Sequence, residues 1–241
     1  MMNPLKTVKS LIKDVGDPLF FPLTRWKLQK QLRNASSAEE LIDLAFSFRA
    51  YGWYRTMGPY QVREEIIRLG EKISAAAPRT MLEIGTAAGG TLLLWCRLVQ
   101  DCVISLDFPV TETLGGYPKK RMKFYQCFTS GKKTQLHLLY RDSHQKTTVR
   151  AVQEILGSRC MDFLFIDGDH TENGCRLDFE LYKELVTPGG LVAFHDIVEH
   201  TAGLQASAVN QVWGEIKKRY RHEEIIAQPN LGWGGIGLVY L

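Results

Sequence analysis

Four stretches of this 241-residue chain concentrate side chains able to do acid–base, ligand-binding or metal chemistry. The densest, Asp167-Gly168-Asp169-His170, holds two carboxylates and an imidazole within four residues, a set that can bind a cation, accept a proton, or both. It also reads as a turn with a helix cap. His195-Asp196 follows further along the chain. Glu83-Ile84-Gly85-Thr86-Ala87-Ala88-Gly89-Gly90 is a glycine-punctuated turn whose backbone a ligand can approach closely. Asp107 stands 22 residues after Gly85, the interval at which a carboxylate accepts ribose hydroxyls. Tyr140-Arg141-Asp142-Ser143 is a polar cluster suited to flank an adenine, and Asp142 or Ser143 serves equally as an N-cap. Glu83, within an apolar run, needs a hydrogen-bonding ligand or nearby donors to satisfy it.

These residues acquire meaning from the elements that must carry them. Apolar patterning predicts strands at 80–84, 102–107, 135–140, 161–166 and 191–195, each ending just before or at one of the polar sets. Helical patterns fall near 60–76, from the glycine turn to about 100, and at 145–156, 174–186 and 205–220. Thr187-Pro188-Gly189-Gly190 reads as a turn. Two last strands, near 222–227 and 235–240, read as a closing hairpin. Strands alternating with helices predict an α/β fold, a doubly wound, mostly parallel sheet of seven strands with an antiparallel C-terminal hairpin. In such a sheet ligands bind outside the carboxyl ends of the strands, where the polar sets fall. Asp167, His195 and Asp196 should therefore meet on adjacent strands.

Residues 1–57 read as a helical extension ahead of a domain at 58–241. Leu5, Val8, Leu11, Ile12 and Val15 share a helical face, Asp17–Pro22 punctuates the chain, and helical patterns resume at 24–33 and 38–50. Ser36 or Ser37 is the expected N-cap of the last of these.

The formal net charge is +4, but residues 1–34 carry seven basic side chains against Asp14 and Asp17, a net of +5. The remainder is nearly neutral, which argues against a nucleic-acid groove across it. A basic amphipathic helix suits weak contact of residues 1–34 with a membrane surface, or packing on the parent domain or a second copy. No apolar run is long enough to span a bilayer, and the lysine-interrupted start is not expected to act as a secretory signal. Five scattered cysteines without C-x-x-C spacing argue against a disulfide framework and for a reducing, cytoplasmic setting. Ala87 stands where a dinucleotide fingerprint needs glycine, which disfavours a nicotinamide enzyme.

The combination Leu82–Gly90, Ile166–His170 and Pro188-Gly189-Gly190 with Phe194-His195-Asp196 resembles class I S-adenosylmethionine-dependent methyltransferases. Within these it is similar to the small-molecule O-methyltransferase branch that includes macrolide-sugar and catechol methyltransferases and cephalosporin hydroxylase-like proteins. Gly115-Gly116-Tyr117-Pro118 and Asn210, Trp213, Ile216 and Lys217 also look familial; the resemblance covers residues 58–241. It implies a Rossmann-like sheet and S-adenosylmethionine as cofactor. It further implies that Glu83, Gly85, Thr86 and Gly89 hold the cofactor's methionine part, Asp107 its ribose, and Asp142 with Ser143 the border of its adenine. In metal-dependent relatives a divalent cation sits at the positions of Asp167, His195 and Asp196. His195 departs from the usual carboxylate there, which leaves magnesium, another metal or none open.

The expected reaction is methyl transfer to a hydroxyl of a small molecule such as a sugar, a phenol or a secondary metabolite. His170, with an ordinary pKa near neutrality, is the expected base, and Asp167 either orients it or binds the metal. Phe108, Tyr117, Trp53 and Tyr54 are candidates to line an acceptor pocket, although aromatics are more often core. The rivals are an RNA or protein methyltransferase and a non-catalytic cofactor-binding scaffold of the same fold. The extension suits homo-oligomer formation.

Overall fold

The computed structural model describes residues 11–109, 116–201 and 207–241. Its strands are β1 (Thr80–Ile84), β2 (Cys102–Asp107), β3 (Gln135–Tyr140), β4 (Met161–Ile166), β5 (Val186–His195), β6 (Arg221–Ile225) and β7 (Ile236–Tyr240). Its helices are α1 (Asp17–Leu32), α2 (Ala38–Ser47), α3 (Arg63–Ala76), α4 (Gly90–Leu98), α5 (Met122–Tyr125), α6 (Lys146–Leu156), α7 (Glu172–Tyr182) and α8 (Val209–Ile216). The strands form one sheet in the order β3-β2-β1-β4-β5-β7-β6. β1 to β5 pair in parallel, and β7 runs antiparallel to both β5 and β6. The expected Rossmann-like sheet and terminal hairpin are thus present.

Period-two alternation divides the strand residues between two cores. Met81, Val103, Phe163, Phe165 and Ala193 pack with α1 to α4 through Leu28, Leu41, Ile66 and Trp95. Leu82, Ile104, Leu164, Ile166 and Phe194 face α6, α7 and α8 through Val152, Phe179 and Trp213. Both sheet faces are covered, as the continuous apolar runs require. Leu28 and Leu32 of α1, with Leu41, Ile42 and Ala45 of α2, belong to the first core, so packing runs across the expected 57/58 division.

Two expectations are corrected. Asp17–Pro22 does not interrupt the helix: α1 begins at Asp17, with Pro18 in its first turn, where a missing N–H leaves no bond unmade. Pro22 is carried inside, and residues 11–15 are helical ahead of it, joined by a bond from Gly16 N to Ile12 O of 3.0 Å. The second correction is β5, which starts at Val186, before the Pro-Gly-Gly turn. The register shifts between Met161 and Phe163, so the extra residues bulge within the strand, with Gly189 at φ +80°. Leu5 and Val8 of the first helical face, Gly115, and the start of the 205–220 helix lie outside the described residues. Ser37 caps α2 in a reciprocal box with Glu40, as its spacing predicts. All five cysteines are unpaired. Among the described residues no helix is long and apolar enough to cross a membrane.

Candidate active site

Register brings the candidate residues to one edge. Ile84 pairs with Leu106 on one side and Ile166 on the other, and Ile166 pairs with Phe194. The next residues, Gly85, Asp107, Asp167 and His195, therefore stand side by side along the carboxyl edge, one strand spacing apart. β1 and β4 meet at the switch point of the strand order, the crevice where ligands bind in open α/β sheets.

The glycine loop is shaped by its neighbours. Gly85 lies at φ +98°, and a Cβ there would sit 2.0 Å from the Asp167 carbonyl oxygen. Ala87 also has a positive φ, +43°, and Gly89, at φ +85°, caps α4 in the left-handed region. The amides of Thr86 and Ala87 donate to Asp107 Oδ2 at 3.0 and 2.7 Å, and Phe108 N donates to Oδ1 at 2.7 Å. Burial raises the Asp107 pKa despite these three bonds.

Glu83 lies beneath the loop. It is wholly buried; Thr91 Oγ1 donates to Oε1 at 2.6 Å and Ser105 Oγ to Oε2 at 2.8 Å. Thr86 Oγ1 joins this chain at 2.6 Å from Ser105 Oγ. Two hydroxyls thus satisfy the carboxyl that the sequence left in need of donors. From this position Glu83 supports the loop from below. Burial pushes its pKa up to about 8.

Asp142 closes a local turn: its Oδ1 accepts from His144 N at 2.9 Å and its Oδ2 from Gln145 Nε2 at 3.0 Å. Ser143 is buried beside it, and its carbonyl accepts from Tyr182 Oη at 2.8 Å. Neither Asp142 nor Ser143 is the N-cap of α6, which follows Gln145 without a side-chain cap; Asp142 instead shapes the turn ahead of it. Tyr54 and Tyr117 are core residues, at 0 % and 1 % exposure.

Beyond β4 and β5 the acids and histidines converge. His195 Nδ1 lies 2.9 Å from Asp167 Oδ1. His170 Nε2 faces the same Asp167 oxygen at 3.4 Å, and its Nδ1 lies 2.8 Å from Asp196 Oδ2. Burial opposes the charge on His170, but the two carboxylates win and raise it to about 10. Burial would likewise raise Asp167 and Asp196, yet the histidines hold both below the usual carboxylate range. His195 is raised, with burial outweighed by Asp167. Clamped between two carboxylates, His170 is held above the ordinary imidazole range that made it the expected base.

Asp167, His170 and His195 each offer a ligand atom, and these atoms lie within 4.8 Å of one another. Asp196 borders that group: its Oδ2 lies 2.8 Å from His170 Nδ1 and its Oδ1 3.6 Å from His195 Nδ1, and it accepts from Gly234 N at 3.2 Å, with a backbone φ of +64°. Asp167 and His195 of the expected ligand set meet here, His170 offers a further ligand atom beside them, and Asp196 lies at their border. One observation favours an added group: His195 Nε2 is buried and has no hydrogen-bond partner among the described residues. Two imidazoles and one carboxylate suit a first-row transition metal better than magnesium, which prefers oxygen.

Three contributors escaped sequence reasoning. Gln61 Nε2 donates to Asp167 Oδ2. Glu65 of α3, 1 % exposed, accepts from Ala227 N at 3.0 Å and Gly235 N at 2.8 Å, fixing the loops near Asp196. Arg121 donates to Trp53 O (2.6 Å), Thr56 O (2.7 Å), Ala88 O (2.9 Å) and Tyr125 Oη (2.8 Å), and Tyr125 Oη donates to Ala87 O at 2.7 Å. Arg121 thus ties the segment after α2 to the glycine loop. A usable signal was Glu65, a charged residue on the apolar face of Ile66, Leu69 and Ile73; Arg121, in a run of three basic residues, reads as solvated surface.

Comparison with known proteins agrees with this geometry. Residues 82–197 match the family model of a methyltransferase domain. Over 75 residues, 29 % of this chain, the sequence is 36 % identical to an uncharacterized protein of Acanthamoeba polyphaga mimivirus. The matched stretches span only 16 % and 34 % of the two curated relatives found. Among solved structures, a Staphylococcus aureus protein assigned as a caffeoyl-CoA O-methyltransferase superposes with a TM-score of 0.55 at 16 % identity, over 91 % of this chain and 100 % of that one. The Bacillus cereus O-methyltransferase, solved with SAH, gives 0.54 at 16 % identity, over 86 % of this chain and 91 % of that one. At that identity the likeness speaks for the fold.

Proposed function

We propose that this chain, whose residues 82–197 are a methyltransferase domain, transfers the methyl group of S-adenosylmethionine to a hydroxyl of a small molecule. The observation that carries the reading is the alignment of Gly85, Asp107, Asp167 and His195 along one sheet edge, beside a histidine held by two carboxylates. The likeness to O-methyltransferases, one solved with SAH, supports the same cofactor and acceptor atom.

Methyl transfer from a sulfonium is an in-line displacement, so the protein must align the acceptor oxygen and take its proton. Gly85 and Gly89 shape a loop whose backbone can lie close to the cofactor's methionine portion. Glu83 and Thr86 hold that loop from beneath. Asp107 meets the ribose through lone pairs its three amide donors leave free, and Asp142 with Ser143 borders the adenine.

His170 and Asp196 form the base: Asp196 holds Nδ1, which leaves Nε2 to take the acceptor's proton, the division of labour of a His–Asp pair. Asp167 faces Nε2, so the acceptor hydroxyl must take its place there. Losing that contact lowers the His170 pKa and makes the neutral, basic form accessible. A metal held by Asp167, His170 and His195 would occupy Nε2 and stand in for this base, lowering the acceptor's own pKa instead. Five unpaired cysteines support a cytoplasmic setting.

The test follows radiolabelled methyl from S-adenosylmethionine into a panel of sugars, phenols and other hydroxyl compounds. Transfer to oxygen in at least one, lost with His170→Ala, supports the reading; cofactor binding without transfer across the panel favours a scaffold. Titration with zinc, manganese and magnesium separately, read by calorimetry, decides the metal. Preference for zinc or manganese that disappears with His195→Ala and with His170→Ala but survives Asp196→Ala supports Asp167, His170 and His195 as the ligands.

A further inference from the structure

α1 has two apolar faces, and the domain uses only one. Leu28 and Leu32 enter the core, and Thr24 is buried with them. Leu11, Ile12, Val15, Leu19, Leu23 and Trp26 recur at steps of one to four residues along the other side and are 47–75 % exposed. At 100° per residue they fall within an arc of roughly 120°, a continuous ridge along α1 and the helical residues before it. Exposed apolar surface of this extent marks an interaction site.

The charges around the ridge select its occupant. Both acids of the segment point inward: Asp14 accepts from Trp53 Nε1 at 2.8 Å and pairs with Lys120, and Asp17 pairs with Lys123 and Tyr54. Arg25, Lys30 and Arg33 remain exposed, with the Lys30 ammonium 5.4 Å from the Trp26 ring. At the C-terminal end of α1 a cavity of about 410 Å³ is lined by Gln29, Leu32, Arg33, Arg97, Ser130 and Gly131, two guanidiniums with no carboxylate among them. A second copy pairing ridge to ridge in parallel would bring cations against cations, and in either direction it would leave Arg33 and Arg97 without an opposite charge. An anionic bilayer offers the opposite charge, a hydrocarbon boundary for the leucines and a headgroup level for Trp26.

We propose that the outer face of α1 docks this protein on an anionic membrane surface, with Arg33 and Arg97 facing lipid phosphate. The contact is reversible, since one amphipathic helix binds weakly and depends on acidic lipid.

The full chain is sedimented with phosphatidylcholine vesicles and with vesicles containing phosphatidylglycerol, at low and raised salt. Expected is at least about tenfold stronger partition onto the anionic vesicles, falling with salt as surface charge is screened. The pair Leu19→Ser and Trp26→Ser, and separately Arg25→Glu with Lys30→Glu, should each abolish it while circular dichroism and SAH binding stay unchanged. No partition onto anionic vesicles overturns the proposal. Equal partition onto neutral vesicles overturns the charge argument. A concentration-dependent dimer in light scattering, removed by the Leu19 and Trp26 changes without any vesicle binding, would assign the ridge to a second copy instead.

Discussion

His170 Nδ1 lies 2.8 Å from Asp196 Oδ2, while its other ring nitrogen faces Asp167 at 3.4 Å. The folded-state pKa of His170 is raised above 6.5, so its contribution to stability is complete below that value and is lost as pH rises through about 10. That of Asp196 is lowered, so its contribution is present above 3.8 and is lost as pH falls further. Asp196→Asn should therefore move the His170 titration, followed by NMR of the imidazole protons, down by about a unit or more. Turnover should fall by about 10² or more, with SAH affinity unchanged. An unmoved titration would break the pair.

Glu83 supplies a pH signature of the opposite sense to an ordinary carboxylate. Its pKa is raised from 4.5 to about 8, so the folded state binds the proton more tightly than the unfolded chain. Its stabilising share is complete below 4.5 and is lost as pH rises through about 8. Glu83→Gln, which keeps partners for Thr91 and Ser105, should flatten the fall in melting temperature between about pH 4.5 and 8, the span from the unfolded to the folded pKa. Parallel melting curves for the two proteins would contradict this.

Gly85→Ala places a methyl group 2.0 Å from the Asp167 carbonyl and forces φ +98° on a residue that disfavours it. The expected cost is about 2 kcal/mol or more in urea unfolding, with loss of SAH binding. Wild-type values for both would show that the β1–β4 edge is looser than its geometry.

Arg121→Met leaves the carbonyls of Trp53, Thr56 and Ala88 without their donor. Buried acceptors stranded in this way cost about 1–3 kcal/mol each at most, so a total loss near 3 kcal/mol is expected. If Arg121 positions the glycine loop, SAH affinity should drop about tenfold even at temperatures where the variant is fully folded. A variant destabilised but binding normally would make Arg121 structural only.

The sheet was legible because each strand is a short apolar run ending at a polar residue; β2, β3 and β4 begin and end where that pattern does. The edge at which Asp107, Asp167 and His195 meet followed from strand adjacency alone. Adjacency could not say which way a side chain leaves the edge. Asp196, at φ +64°, turns toward His170, and Glu83 points into the layer under the loop, where Thr91 and Ser105 meet it. Gln61 and Arg121 reach the site through tertiary contacts 106 and 33 residues along the chain, which no local pattern encodes. The prolines of α1 misled for a different reason: Pro18 falls in a first turn, and burial of Leu28 and Leu32 outweighs the bond that Pro22 removes.

The central claim, an S-adenosylmethionine site at the edge of β1 and β2, is tested most directly by calorimetric titration of S-adenosylhomocysteine into the purified chain, wild type and Asp107→Ala, each with and without EDTA. The account predicts one site per chain with micromolar affinity for the wild type, and at least about tenfold weaker binding for Asp107→Ala. Absence of binding to the wild type under both conditions would contradict it.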